Sequence, residues 1–258
     1  MLRKRVAGVI TVKDGWAVQS IGYKRYLPLG RPEILAENLD RWGADEIIIQ
    51  CIDRTRRGQG PDFGLLERVS RKGLSTPLIY GGGIRNADDA VAVVKAGADR
   101  VCIDALLHDA PRNVDAIATR LGAQAVIAAL PLLRGAEGQL SWLDYRTKTS
   151  RPFVGPLIDL LRSGGVSEAL VIDWQHEGQV AGFDAELLIR FPVDGMPLIA
   201  FGGLSEPAQL RRVLQLPKVS AIAVGNFLNY REHAIHAFKV HLGGLPIRPA
   251  VTAIGGAV

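Results

Sequence analysis

Short apolar runs alternate along the whole chain with longer amphipathic stretches. The runs at 6–12, 46–52, 77–81, 99–104, 124–131, 168–173, 197–201 and 219–225 are rich in Val, Ile, Leu and Ala. They do not alternate with polar residues, the pattern of strands covered on both faces. Each is followed by a stretch with helical spacing, near 31–42, 63–73, 86–97, 111–121, 153–164, 184–191, 206–215 and 231–242. Asn86 ahead of Ala87-Asp88-Asp89, and Pro111 in a first turn, are helix start signals. Gly43 and Gly97 stand where helices stop. QLSWLDY at 139–145 predicts a small hairpin within 134–151. Eight strand–helix units in 258 residues predict an α/β fold, a closed (βα)8 TIM barrel. An open doubly wound sheet fits less well, because no GxGxxG follows the first strand. No low-complexity linker divides the chain, so residues 1–245 are expected to form one domain and 246–258 a C-terminal tail.

The pattern repeats. TPLIYGGGI at 76–84 matches MPLIAFGGL at 196–204, a shift of 120, and Arg57-Gly58 through Phe63 matches Glu177-Gly178 through Phe183 at the same shift. Glu46 matches Glu168 at a shift of 122. Three matches in order predict two similar half-barrels of four units each.

Composition narrows the class. At 48% hydrophobic and 22% charged, the chain is too apolar for disorder. No apolar run approaches the roughly 18 residues of a membrane span. The start, MLRKR then VAGVITV, imitates a secretory signal, but it runs into Lys13-Asp14-Gly15 with no small-residue cleavage site. The net charge of +5 is dispersed apart from knots at 3–5 and 54–57, so no nucleic-acid surface is expected. Cys51 and Cys102 cannot build a disulfide framework, which fits a reducing cytoplasm. Of five histidines, His233 and His236 can share a helix face, but no carboxylate or cysteine completes a metal set. No metal or other cofactor is expected.

The chemistry gathers at strand ends. Gly81-Gly82-Gly83 ends the third strand and Gly202-Gly203 the seventh, each ahead of a helix. Glycines there let backbone N–H groups close on an anion. Gly225-Asn226, ending the eighth strand, completes the second of these candidate phosphate cradles. The plain alternative is that these glycines only turn the chain. His176 lies beside the second cradle, and Asp53 and Asp173 are carboxylates near the expected C-terminal mouth, available for proton transfer or for capping a loop.

VKDG at 12–15, GADE at 43–46, PLIYGGGIRNADDA at 77–90, GADRV at 97–101 and PLIAFGG at 197–203 together resemble the cyclase subunit of imidazole glycerol phosphate synthase (HisF) and its sister isomerase HisA. The resemblance covers about residues 1–245 and implies a duplicated half-barrel that binds one phosphate per half. It also implies a glutaminase partner (HisH) whose ammonia enters at the N-terminal face, and two aspartates that shuttle protons. At those two positions this chain has Thr11 and Leu130, and the family's loop lysine is Gln19. The Asn-Thr pair of the first cradle is Asp104-Ala105, a carboxylate beside a phosphate, whereas the second cradle keeps the family's Gly178, Gly203 and Gly225. Arg5, Glu46, Arg100 and Glu168 match the family's ring of charges that gates ammonia, with Arg100 in place of lysine. Asp99 and Gln124 match the face that docks the glutaminase.

A kept gate with both aspartates lost fits an ammonia-dependent synthase subunit. Its substrate is expected to be a phosphorylated or nucleotide-linked sugar, as in the HisF-like acetamidino-sugar proteins of surface-polysaccharide pathways. Thr11, Asp53, Asp173 and His176 are its candidate catalytic groups. The alternatives are a histidine-pathway cyclase with relocated catalytic groups and a non-catalytic scaffold that only activates a glutaminase.

Overall fold

The computed structural model describes residues 3–230 and 232–250. Twelve strands form one sheet: β1 (Arg5–Lys13), β2 (Trp16–Ile21), β3 (Arg25–Gly30), β4 (Glu46–Cys51), β5 (Leu78–Gly81), β6 (Arg100–Ile103), β7 (Val126–Arg134), β8 (Leu140–Asp144), β9 (Thr149–Pro152), β10 (Glu168–Asp173), β11 (Leu198–Phe201) and β12 (Val219–Val224). Eight of them pair in parallel as β1-β4-β5-β6-β7-β10-β11-β12, and β12 returns to β1, closing a (βα)8 barrel. All eight expected strands are present. The helices are α1 (Pro32–Arg41), α2 (Phe63–Ser70), α3 (Ala87–Lys95), α4 (Leu106–Asp109), α5 (Pro111–Leu121), α6 (Pro156–Arg162), α7 (Glu186–Ile189), α8 (Pro207–Gln215) and α9 (Ala234–His241). The Asn86 side chain accepts from the Asp89 amide and caps α3, as its position predicts. No helix among the described residues is long and apolar enough to cross a membrane.

Side-chain alternation sorts each strand into two cores. Val6, Ile10 and Val12 of β1 pack outward with the helices, while Ala7 and Val9 face the barrel axis. Ile48, Ile79, Ile127, Leu170 and Ile199 meet them there. Because both faces are buried, the strands read as continuous apolar runs.

Two hairpins leave the barrel at its C-terminal mouth. β8 and β9 pair antiparallel and extend β7, the hairpin expected there. The second, β2–β3, has no counterpart among the expected elements. It pairs antiparallel onto the end of β1, with a register shift between Ala17 and Val18 and Pro28 inside its second strand. At the opposite end, the expected tail starts as part of the barrel floor. The Lys4 amide donates to Pro246 O (2.7 Å) and the Arg248 amide to Lys4 O (3.0 Å). Residues 251–258 of that tail lie outside the described residues.

The half-barrel repeat is visible in the backbone. Gly82 and Gly202 have φ of 126° and 106°, Gly83 and Gly203 of 72° and 73°. A Cβ on Gly82 would lie 2.4 Å from Cys51 O and one on Gly202 2.5 Å from Asp173 O, each the last residue of the neighbouring strand. These positions require glycine both for conformation and for room.

Candidate functional site

Four charges close the barrel floor. Arg5 donates to Glu46 (3.1 Å) and to Glu168, and Arg100 bonds Glu168 (2.6 Å) and lies 3.5 Å from Glu46. The four side chains form a cyclic plus–minus ring and are only 7–15% exposed. Each sits at the start of a strand, on the face that points down the axis two residues on: Arg5 below Ala7, Glu46 below Ile48, Glu168 below Leu170, Arg100 below Cys102. The Ser220 hydroxyl donates to Glu168 (2.7 Å), and the Ser167 hydroxyl accepts from Arg100 (2.9 Å). Burial raises the Glu46 carboxyl; Arg5 and Arg100 oppose this, and the neighbouring Glu168 adds to it. At Glu168 burial is the largest influence, but Arg5, Ser220 and Arg100 together outweigh it and lower the carboxyl. Glu46 Oε2 is buried without a hydrogen-bond partner among the described residues. Asp99 and Gln124 are exposed next to this floor; the Gln124 carbonyl accepts from Arg100 (3.0 Å) and the Asp99 carboxylate from the Leu78 amide (2.8 Å).

Above the ring, hydrocarbon exposed by at most 6% fills the axis. It is narrowest in bulk where β1 meets β12: Ala7 lies in register with Ala223, and Ala221 faces the axis one step below.

At the C-terminal mouth, Thr11 (6% exposed) lies on the lumen face beyond Val9, in register with Gln50. Leu130 does not join it. Its side chain packs in the helix-facing core, and the lumen-facing position at that level of β7 is Pro131. Leu130, expected at a catalytic position, thus faces away from the mouth, and its lumen-facing neighbour Pro131 has no proton to exchange either. Asp173 takes the loop-capping one of its two expected roles. It follows the outward-facing Val171, is 1% exposed, and accepts from the Asp184 amide (2.7 Å) and the His176 amide (3.2 Å). Its remaining contact is His176 Nδ1 at 2.8 Å. A carboxylate accepts there, so Nδ1 carries a ring proton and Nε2 is left facing away from Asp173. Asp173 thus orients His176 and closes a loop. Asp53 is pinned by the Asp14 amide (2.9 Å) and by Arg57 (2.9 Å), the same loop-closing use.

The second cradle forms a concavity lined by Gly178, Gly202, Gly203, Gly225 and Asn226, with Glu177 on its wall. The β2–β3 hairpin is clamped against it. The Ser20 hydroxyl (3.0 Å) and Tyr23 amide (3.3 Å) donate to Glu177, the Gly22 amide donates to its carbonyl (2.9 Å), and the Ser20 amide donates to Asn226 Oδ1 (3.2 Å). Burial pushes the Glu177 carboxyl up to about 7, against the Ser20, Tyr23 and Gly22 hydrogen bonds that lower it. Tyr23, at the hairpin turn, packs onto the axial core, with its hydroxyl 3.5 Å from Gln50 Oε1. Gln19 bonds the Tyr230 hydroxyl instead of reaching over the mouth. In the first cradle, the Gly83 amide donates to Thr55 Oγ1 (3.0 Å). Sequence reasoning missed Gln50, Tyr23 and Glu177, and also Tyr145, whose phenol adjoins the Thr55 hydroxyl. Only the Arg57/Glu177 match in the repeat pointed at any of them.

No group of three or more His, Cys, Asp or Glu that could hold a metal is found among the described residues. Both cysteines are buried, and burial pushes each thiol up to about 12, as inert core residues.

A family model described as histidine biosynthesis protein matches residues 5–234. Imidazole glycerol phosphate synthase subunit HisF of Acidobacterium capsulatum is 31% identical over 252 residues, spanning 96% of this chain and 99% of that protein. The subunit of the same name from Natranaerobius thermophilus is 27% identical over 254 residues, 96% of this chain and all of that protein. A putative HisF subunit of Leptospira interrogans is 26% identical over 235 residues, 90% and 92% of the two chains.

Proposed function

The chain belongs to the histidine biosynthesis protein family, and from that premise we propose that it is the ammonia-using synthase subunit of a glutamine amidotransferase complex. A glutaminase docks at the floor around Asp99 and Gln124. Ammonia passes the ring of Arg5, Glu46, Arg100 and Glu168 and reaches a phosphorylated or nucleotide-linked sugar at the mouth. The ring is the observation that carries this reading. Four buried charges, each held by its neighbours, are electrically neutral as a set, and a neutral ring can part for a small neutral molecule without leaving a net charge in the barrel. The axial hydrocarbon above it excludes water, which protects ammonia from protonation in transit. The passage is closed at rest, so transfer includes motion of ring and axial side chains.

At the mouth, Gly178, Gly203, Gly225 and Asn226 hold a phosphate through backbone N–H groups. His176, oriented by Asp173, supplies Nε2 as the proton acceptor in place of the missing aspartates. Thr11 contributes a hydroxyl that orients but does not ionise. Tyr23, carried by the β2–β3 hairpin, closes the mouth.

The second reading is the cyclase of histidine biosynthesis, favoured by the names of the relatives at 26–31% identity. Against it stand Thr11 and Leu130 where the resemblance implies aspartates, with Pro131 on the lumen face beside Leu130. Two experiments separate these readings. Co-purification with a glutaminase encoded beside it, with stimulation of glutamine hydrolysis, is expected; no association and no stimulation refutes the ammonia-using subunit. Complementation of an auxotroph lacking the histidine-pathway cyclase is expected to fail; growth establishes the second reading.

A further inference from the structure

The two glycine pairs share their backbone but not their surroundings. In the second half no acceptor among the described residues takes the Gly203 amide, and the pair opens on a concavity. In the first half the Gly83 amide is already taken by Thr55 Oγ1, and the Tyr145 phenol adjoins that hydroxyl. Asp104 stands two residues beyond Cys102 on β6, continuing the lumen face of Arg100 and Cys102. No donor among the described residues reaches its carboxylate. Arg146, the cation that acts on it from a distance, is consumed by Asp109 (2.9 Å) and Asp144 (3.0 Å). Burial pushes the Asp104 carboxyl up to about 7; Arg146 lowers it, and Asp144 and Asp109 raise it further. A phosphate placed here would meet an occupied amide and a second anion, and Arg146, the cation acting on Asp104, is already paired.

We propose that the first glycine pair is not a phosphate cradle but the seat of a sugar's unphosphorylated end, whose hydroxyl or amino group donates to Asp104. The ligand then carries phosphate at one end only, held by the second cradle. This rests on the phosphate reading of the second cradle given above. An unpartnered, partly buried carboxyl group needs O–H or N–H donors, and a sugar presents them in quantity. The duplicated barrel would thus grip two unlike ends of one molecule.

Crystals of the wild-type protein and of the variants Asp104→Asn and Thr55→Ala/Asp104→Asn, each soaked in inorganic phosphate, test this. The wild type is expected to hold an anion at Gly203 and none at Gly83, and the double variant one at each. An anion at Gly83 in the wild type overturns the proposal, and so does its absence from Gly83 in the double variant. Should the double variant fail to fold, the isosteric Asp104→Asn decides: it is expected to bind fructose 1,6-bisphosphate at least tenfold more tightly than the wild type does, and an unchanged affinity overturns the proposal. An anion absent from Gly203 in every variant refutes the phosphate reading of the second cradle, a separate outcome. Wild-type crystals soaked with fructose 6-phosphate or glucosamine 6-phosphate are expected to show phosphate on Gly203 and a hydroxyl or ammonium on Asp104. Binding of neither, or binding with phosphate on Gly83, overturns the assignment.

Discussion

Replacing Arg5 by alanine tests the floor of the barrel directly. Arg5 makes two charge-assisted contacts, to Glu46 (3.1 Å) and Glu168, and one to the Ser220 hydroxyl (3.2 Å). Hydrogen bonds to charged groups contribute about 1.5–3 kcal/mol each, and removing one partner of a buried pair costs about 3–5 kcal/mol. Arg5→Ala leaves two buried carboxylates sharing one guanidinium, so a loss of about 3–5 kcal/mol is expected by urea denaturation at pH 8. The deficit should shrink as pH falls. Burial already raises the Glu46 carboxyl, and loss of Arg5 raises it further. A folded state with a raised carboxyl binds protons more tightly than the unfolded chain, so stability is lost as pH rises through that value and recovered below it. Arg5→Ala/Glu46→Gln restores a neutral floor, with Arg100 facing Glu168, and should recover much of the loss at pH 8. In the glutaminase complex, Arg5→Ala should leave glutamine hydrolysis running while ammonia escapes to solvent. A deficit under 1 kcal/mol that does not vary with pH, with coupling intact, would show that these side chains are solvated and gate nothing.

Two other outcomes follow from the geometry. Glu177 is 3% exposed and its carboxyl is raised from 4.5 to about 7, so the folded state loses about 3 kcal/mol relative to Glu177→Gln between pH 4.5 and pH 8. The difference in unfolding free energy between the two proteins, measured at both pH values, checks this; a difference that stays constant with pH refutes it. Ala223→Val adds two methyl groups on the least bulky side of the axis, where Ala7 and Ala223 lie side by side on neighbouring strands. It is expected to lower stability by about 1–3 kcal/mol and to reduce ammonia transfer several-fold at unchanged glutamine hydrolysis. Equal loss of both rates would show that ammonia does not travel along this side.

The barrel was legible in the sequence because its strands are buried on both faces, and an unbroken apolar run records that state directly. The glycine pairs were legible because their conformation excludes other residues. The β2–β3 hairpin was not, since its second strand is mostly solvated and carries Pro28, leaving neither alternation nor an apolar run to read. The mouth was misread for a different reason. Whether a residue faces the axis or the helices changes with every step along a strand, so one position separates Leu130 in the outer core from Pro131 on the lumen. Asp173 fell to the same ambiguity. It ends a strand on the outward face, and nothing in IDWQHEG tells a loop-closing carboxylate from a free one. Asp104 was legible as a residue that does not suit phosphate. That its partner is a missing donor rather than a cation depends on Arg146 being consumed elsewhere, which only the tertiary contacts disclose.

The floor was legible for a reason that also bears on function. Each member of the ring is buried against two of opposite sign, so no one of them can change alone without leaving a charge uncompensated in the barrel. Thr11 and Pro131 are under no such constraint. A neutral residue at the mouth leaves no charge stranded, and the fold tolerates it whatever it does to the chemistry. Mouth and floor are therefore free to diverge at different rates, and a chain can keep the charged floor while the groups at its mouth change. Asp104 fits that account from the other side: it brings to the mouth a carboxyl group that no hydrogen-bond donor among the described residues reaches. A partly buried carboxyl without a partner is costly enough that a ligand donor is the natural group to offset it.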